Sequence, residues 1–127
     1  MRMLADTHTL LWYGRDSDRL SARARRAIEE SPDPVWMSHA SLWELAIKVN
    51  LKKLDLGMAV SARAAEFRRA GFRLLPITDA HLDRVAALPL HHRDPFDRML
   101  IAQAMVENLR VITADAAFDD YPIQTLW

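Results

Sequence analysis

Short apolar runs recur along the chain, separated by longer stretches in which apolar residues return with helical periodicity. The runs have the length of buried strands and lie at residues 2–5, 35–38, 72–77, 110–113 and, as a fifth, 123–126. They are apolar without regular alternation, which is typical of parallel strands that are covered on both faces. The pattern therefore predicts four or five short parallel strands.

The stretches between these runs carry the start and stop signals of helices. Asp94-Pro95 combines a favoured N-cap with a favoured first helical residue, and Ser21 and Thr78 stand where further N-caps are expected. Helices are predicted at about 8–13, 21–31, 40–49, 59–70, 78–88 and 94–108, with a helical turn at 116–119. The alternation predicts an α/β fold: a three-layer α/β/α sandwich around a four- to five-stranded parallel sheet, in a single domain over residues 1–127.

The composition narrows the classes of function that suit this fold. The 127 residues are 50% hydrophobic, enough for one core, and 17 basic residues balance 17 acidic ones. A neutral chain does not hold nucleic acid by bulk charge, so any such contact needs local patches or bound metal. The absence of cysteine excludes disulfides, zinc–thiolate sites and cysteine nucleophiles. No apolar run suits a membrane span or a signal peptide, so we expect a cytoplasmic protein without a membrane partner.

Four carboxylates belong to segments at or near the carboxyl edge of the predicted sheet, where open α/β sheets bind ligands. Asp6 ends the first strand, Asp115 follows the fourth, and Glu44 lies in the helix after the second. Asp97 lies in the first turn of the helix before strand four, and spacing alone does not place it at this edge. Acids that crowd together repel one another, and a divalent cation such as Mg²⁺, which prefers oxygen ligands, removes the repulsion.

Each of these acids also has a structural interpretation, because Asp and Glu are common at helix starts. Asp6 and Asp115 suit N-caps, and Asp97 suits the positive end of its helix dipole. Ser41 and Glu44 have the spacing of a capping box. Taken one at a time, the acids therefore do not establish a site.

Four segments of the chain, taken in order, resemble the PIN-domain ribonucleases and especially the VapC-type toxins of toxin–antitoxin pairs. The segments are residues 4–12, 38–48, 92–104 and 111–118, and each contains one member of the acidic quartet. The resemblance implies that Asp6 and Asp97 hold Mg²⁺, with Mn²⁺ as the alternative, and that Glu44 and Asp115 complete the catalytic set. It also implies that Thr113 lies near the pocket.

The same resemblance implies an activity and partners. A toxin of this type is an endoribonuclease that hydrolyses RNA phosphodiester bonds and leaves a 3′-hydroxyl and a 5′-phosphate. It pairs with a VapB-type antitoxin, which lies in a groove and blocks the acidic site, and it forms a homodimer. The segment 51–67 mixes apolar and basic residues and is a candidate border of that groove.

Three further charged residues lie close in sequence to the quartet. Lys48 follows Glu44 by four residues, a spacing that allows an ion pair on a helix, with a contact to substrate phosphate as the alternative. Arg98 follows Asp97 directly and is a candidate contact for substrate or for a carboxylate. Asp94 is explained as an N-cap, with a supporting role behind the metal ligands as the alternative.

The aromatic residues and the histidines are predicted to be structural. Four aromatic residues have apolar neighbours and are predicted to lie in the core rather than to stack on bases: Trp12, Trp43, Phe67 and Phe72. The five histidines lack the paired i, i+4 spacing of a zinc site. We predict that they are surface or local hydrogen-bonding residues, with His8 and His39 near the pocket.

Two other classes of function remain as alternatives. A phosphorylation-receiver domain has a similar length and layering, but it needs an acid pair after strand one and a Lys after the last strand. Strand one here ends in the single Asp6, and no Lys follows the last strand. The second alternative is a non-catalytic PIN-like module that binds RNA or a protein partner. Metal-dependent RNA cleavage separates an enzyme from such a module.

Overall fold

A computed structural model describes residues 1–127 and contains one sheet of five strands. The strands are β1 (Met3–Ala5), β2 (Trp36–Ser38), β3 (Arg73–Leu75), β4 (Arg110–Ile112) and β5 (Thr125–Leu126), in the order β3-β2-β1-β4-β5. All four pairings between neighbours are parallel, so the predicted parallel sheet is confirmed. β3 is shorter than predicted and ends directly before Pro76, which has no backbone N–H to donate.

Six α-helices and one 3₁₀ helix connect the strands. They are α1 (Thr7–Gly14), α2 (Ala22–Glu29), α3 (His39–Asn50), α4 (Val60–Arg69), α5 (Asp79–Ala87), α6 (Pro95–Glu107) and the 3₁₀ helix Ala116–Asp120. Ser21, Thr78 and Asp94 cap α2, α5 and α6 through their side chains, as predicted. The longest helix, α6, has 13 residues, and no helix combines the length and hydrophobicity of a bilayer-crossing segment.

The start of α3 differs from the prediction. The Ser38 Oγ atom accepts the backbone N–H of Ala40 at 3.1 Å, which makes Ser38 the N-cap. Ser41 lies inside the helix, where its Oγ accepts the hydroxyl of Thr7 at 2.9 Å. The predicted capping box of Ser41 and Glu44 is therefore wrong, because both residues lie beyond the cap position. Glu44 stands in the second turn and needs another explanation.

Helices cover both faces of the sheet and create two apolar layers. One layer contains Ala5 and Ile112 from the central strands together with side chains of α1, α2, α3 and α4. The other contains Leu4 and Val111 together with side chains of α6 and Phe118 of the 3₁₀ helix. Consecutive strand residues enter opposite layers because side chains alternate along a strand. The predicted three-layer α/β/α arrangement is confirmed.

α5 and α6 pack against each other in antiparallel directions. His81 near the start of α5 is completely buried, and its Nε2 lies 2.9 Å from a carboxylate oxygen of Glu107 at the end of α6. At the other end of the pair, the guanidinium of Arg98 donates to the carbonyl oxygen of Leu88 at 3.3 Å. The last turn of α6 lies beside the residue that precedes β1. The first turn of α6, with Asp97, therefore lies toward the carboxyl edge of the sheet.

The aromatic residues follow the prediction except for Trp43. Phe67 and Phe72 are buried, and Trp12 is half-buried against the same apolar layer. Trp43 is 61% exposed, so its predicted place in the core is wrong. Its indole ring stands edge-on to Phe96, with 5.3 Å between the ring centroids, and forms one wall of an open groove beside α3.

Candidate active site

The central strands β1 and β4 end side by side at the point where the strand order changes direction. Open α/β sheets bind ligands at such a switch point. Asp6 directly follows β1 and is only 4% exposed. Its Oδ1 accepts the backbone N–H of Thr9 at 2.8 Å, and its Oδ2 accepts the hydroxyl of Thr113 at 2.6 Å. Asp6 therefore caps α1 and also joins the ends of the two central strands.

The segment after β4 supplies Thr113 and Asp115. The Thr113 Oγ1 atom, besides donating to Asp6, accepts the backbone N–H of Asp115 at 3.0 Å. The Asp115 Oδ1 atom accepts the backbone N–H of Ala117 at 2.9 Å and caps the 3₁₀ helix. Its Oδ2 lies 3.8 Å from Nε2 of His92. Thr113 thus connects the two acids that follow neighbouring strands.

Glu44 reaches this edge from the second turn of α3 and is only 7% exposed. The Lys48 Nζ atom lies 2.9 Å from Glu44 Oε2, so the ion pair that the spacing predicts is present. Glu44 Oε1 is buried and has no hydrogen-bond partner within the protein. Since leaving a buried carboxylate oxygen without a donor is unfavourable, this atom is suited to a ligand that completes its coordination.

The environment of Asp97 disfavours its charged form. Burial is the main cause that raises the pKa of Asp97 to about 7, and the charges of Asp94, Asp6 and Glu44 act in the same direction, while His92 opposes them. The side chain itself is 21% exposed. Because the charges of Asp6 and Glu44 both act on Asp97, the first turn of α6 places Asp97 within the acidic group. The spacing of the sequence alone did not decide whether Asp97 belongs to it. These acids repel one another in the protein without a cation.

Asp94 and Arg98 hold the segment that leads into α6. Asp94 Oδ1 accepts the backbone N–H groups of Phe96 at 2.9 Å and of Asp97 at 3.0 Å, which is a complete N-cap. The Arg98 guanidinium donates to four backbone carbonyl groups between residues 85 and 92. Arg98 forms no ion pair with a carboxylate, so that alternative is not supported, while a contact with substrate stays a prediction. The bonds to the backbone give Arg98 a structural role.

His92 is a member of the site that the sequence analysis misses. Its Nε2 lies 3.0 Å from Asp97 Oδ2 and 3.8 Å from Asp115 Oδ2. One ligand atom from each of these three side chains falls within 4.8 Å of the others. The sequence holds one signal for this role, because His92 stands two residues before Asp94, the cap of the helix that carries Asp97. His8 stacks on Trp12, and because its charge acts to lower the pKa of Asp6, it lies near the site as predicted.

The oxygen atoms of this site suit a hard divalent cation. Burial raises the pKa of Asp6 as well as that of Asp97, although the bonds from Thr113 and Thr9 partly oppose the rise for Asp6. Glu44 adds a buried oxygen without a donor. Mg²⁺ and Mn²⁺ prefer carboxylate oxygens and offset the repulsion between them. The residues present therefore fit the metal that the resemblance implies.

The sequence matches the PIN domain family over residues 3–124. This range includes every member of the acidic quartet. A curated relative, Ribonuclease VapC22 of Mycobacterium tuberculosis, is 29% identical over 114 residues, which cover 89% of this chain and 86% of the relative.

Solved structures with the same fold support this match. A chain in the crystal structure of VapBC2 from Rickettsia felis, bound to a DNA fragment from their promoter, superposes with a TM-score of 0.75 at 12% identity, covering 99% of this chain and 98% of that chain. Mycobacterium tuberculosis VapC20, described as a sarcin–ricin loop cleaving toxin, gives a TM-score of 0.70 at 19% identity, covering 95% of both chains. At these identities the likeness concerns the fold.

Proposed function

This chain belongs to the PIN-domain family, and we propose that it is a divalent-metal-dependent endoribonuclease that acts as the toxin of a toxin–antitoxin pair. The observation that carries the proposal is the convergence of acids from β1, α3, α6 and the end of β4 on the sheet's switch point. The curated relative, named a ribonuclease of the VapC type, supports RNA as the substrate.

In this proposal two of the four acids bind the metal and the other two act on the attacking water. Asp6 and Asp97 would hold the cation, and Glu44 and Asp115 would orient the attacking water and receive its proton. A bound divalent cation supplies neutralisation of phosphate charge and lowers the pKa of water. Water attacks phosphorus as it gives a proton to Glu44 or Asp115, the bond from phosphorus to the 3′ oxygen breaks, and that oxygen takes a proton from solvent, so the products are a 3′-hydroxyl and a 5′-phosphate. Thr113 holds Asp6 in place through its 2.6 Å hydrogen bond.

Metal-dependent cleavage of RNA tests this function directly. The purified protein is incubated with total RNA in Mg²⁺, in Mn²⁺ and in excess chelator, and the new RNA ends are sequenced. We expect internal cuts with 5′-phosphate ends in either metal and none in chelator, because the acids alone do not neutralise the phosphate. Binding of RNA without any cleavage in Mg²⁺ or Mn²⁺ would favour the non-catalytic module instead.

A groove between α3 and α4 is the candidate site for a VapB-type antitoxin. It has a volume of about 600 Å³ and seven of its ten lining residues are hydrophobic. Trp43 and Ile77 are exposed in it, and Arg68 provides a positive charge for an acidic partner residue. Val60 and Ala64 also line it and fall within the segment 51–67. An amphipathic helix with an apolar face and acidic edge suits this groove.

Replacing Trp43 with Ala is expected to weaken antitoxin binding by at least about tenfold, because large exposed aromatic side chains commonly dominate such interfaces. The partner in the test is the cognate VapB-type antitoxin, and calorimetry measures its affinity. Leu82→Ala is the matched control, since Leu82 is 52% exposed on α5 and does not line the groove. Equal affinity of wild type and Trp43→Ala would contradict the groove assignment. Light scattering on the same samples tests the proposed homodimer.

A further inference from the structure

The backbone of His92 is held on both sides. Its N–H donates to the Tyr121 hydroxyl at 2.9 Å, and its carbonyl oxygen accepts from the Arg98 guanidinium at 3.2 Å. The Tyr121 hydroxyl in turn donates to the carbonyl oxygen of Pro89 at 2.8 Å, and Tyr121 is buried. The imidazole ring stands edge-on to Phe118, with 6.2 Å between the centroids. The segment between α5 and α6 therefore presents this one side chain to the acids in a defined orientation.

The hydrogen bond at Nδ1 of His92 determines whether Nε2 carries a hydrogen or a lone pair. Nδ1 accepts the backbone N–H of Asp94 at 3.3 Å, so the ring's lone pair lies on Nδ1 and the hydrogen lies on Nε2. A neutral imidazole has one lone pair for such contacts, so Nε2 does not bind a cation while this bond is present. Nε2 is buried and lies 3.0 Å from Asp97 Oδ2 and 3.8 Å from Asp115 Oδ2, without a well-aligned bond to either.

We propose that His92 is a positioning residue of the metal site, whose Nε2–H faces Oδ2 of Asp97 and of Asp115 and orients these two carboxylates. With Oδ2 of Asp97 facing His92, Oδ1 of Asp97 would be available to a cation, whereas Oδ1 of Asp115 already caps the 3₁₀ helix. The inference rests on the proposed function, since it concerns the same acids. Donors behind carboxylate ligands are common in metal sites, and their loss typically lowers metal affinity by about 10- to 100-fold.

Binding of Mn²⁺ in the absence of RNA tests this role. Electron paramagnetic resonance measures free Mn²⁺ during titration of the wild type and of His92→Leu, His92→Gln and His91→Leu. We expect His92→Leu to bind Mn²⁺ about tenfold or more weakly. His92→Gln restores most of the affinity, because its amide also donates. His91→Leu, the exposed neighbour, matches the wild type.

Direct coordination is examined in the same samples with protein labelled with ¹⁵N in its histidines. We expect no electron spin echo modulation from an imidazole nitrogen bound to Mn²⁺. Such a signal would overturn the proposal, and so would unchanged or tighter Mn²⁺ binding in a folded His92→Leu. If His92→Leu does not fold, Mn²⁺ binding in His92→Gln that is about tenfold or more weaker than in the wild type would overturn it. A wild type that binds no Mn²⁺ refutes the metal site itself, whereas wild-type cleavage with unaltered affinity in His92→Leu refutes only the role of His92.

Discussion

Replacing Asp97 with Asn is expected to lower the rate of RNA cleavage by about a thousandfold or more, equivalent to about 4 kcal/mol of transition-state stabilisation. Asn keeps the shape of the side chain but removes the negative charge that holds the cation in the proposed site. The helix start survives, because Asp94 bonds to the backbone N–H of Asp97 and not to its side chain. Single-turnover cleavage of a defined RNA in Mg²⁺ gives the rate.

The matched control is Asp83→Asn, which makes the same chemical change on the exposed surface of α5. Its cleavage rate should equal that of the wild type, and circular dichroism should show the same fold for both variants. Retention of full activity by Asp97→Asn would remove Asp97 from the site. It would also leave the acidic cluster without a catalytic explanation.

The stability of the metal-free protein is expected to fall as the pH rises from about 4 to about 7, relative to that of Asp97→Asn. Burial, followed by the charges of Asp94, Asp6 and Glu44, raises the pKa of Asp97 from 3.8 to about 7. In this pH range the folded protein keeps a proton that the unfolded chain has already lost. The free energy of unfolding therefore falls by up to about 1.4 kcal/mol per pH unit, or about 4 kcal/mol in all.

Denaturant unfolding of both proteins in chelator between pH 4 and pH 8 measures this difference. We expect similar stabilities near pH 4 and a variant that is more stable than the wild type near pH 7.5. Saturating Mn²⁺ should reverse the order at pH 7.5, because a cation stabilises the ionised acids of the wild type. Parallel profiles for the two proteins in chelator would show that folding does not raise the pKa of Asp97.

Local patterns predict most of the fold, because each strand and helix has its own signals. Ser21, Thr78 and Asp94 cap the helices that the sequence assigns to them. The capping box of Ser41 and Glu44 fails since a competing cap, Ser38, lies three residues earlier. Periodicity also misplaces Trp43, because α3 is apolar on most sides and the pattern does not reveal which side remains uncovered.

The site is less predictable, because its members meet through contacts between distant segments. Asp6 and Thr113 are bonded although they lie 107 positions apart, and no local pattern encodes that pairing. Asp97 joins them because α6 begins toward the carboxyl edge of the sheet and runs back to the opposite edge, where β4 begins. The sequence does not predict the role of His92, because its orientation depends on Tyr121 and Arg98, whose contacts with it form only in the folded chain.

The hydrogen bond between Asp6 and Thr113 also determines at what stage of its synthesis the protein assembles the acidic site. Translation produces Asp6 107 positions before Thr113, and β1 lacks its neighbour β4 until then. Contacts of such high sequence separation form late in folding. A nascent chain that has not yet reached Thr113 therefore lacks the hydrogen bond that holds Asp6, and under the proposed function it leaves nearby transcripts uncut. Only after Thr113 has been synthesised do the acids assemble into the proposed nuclease site.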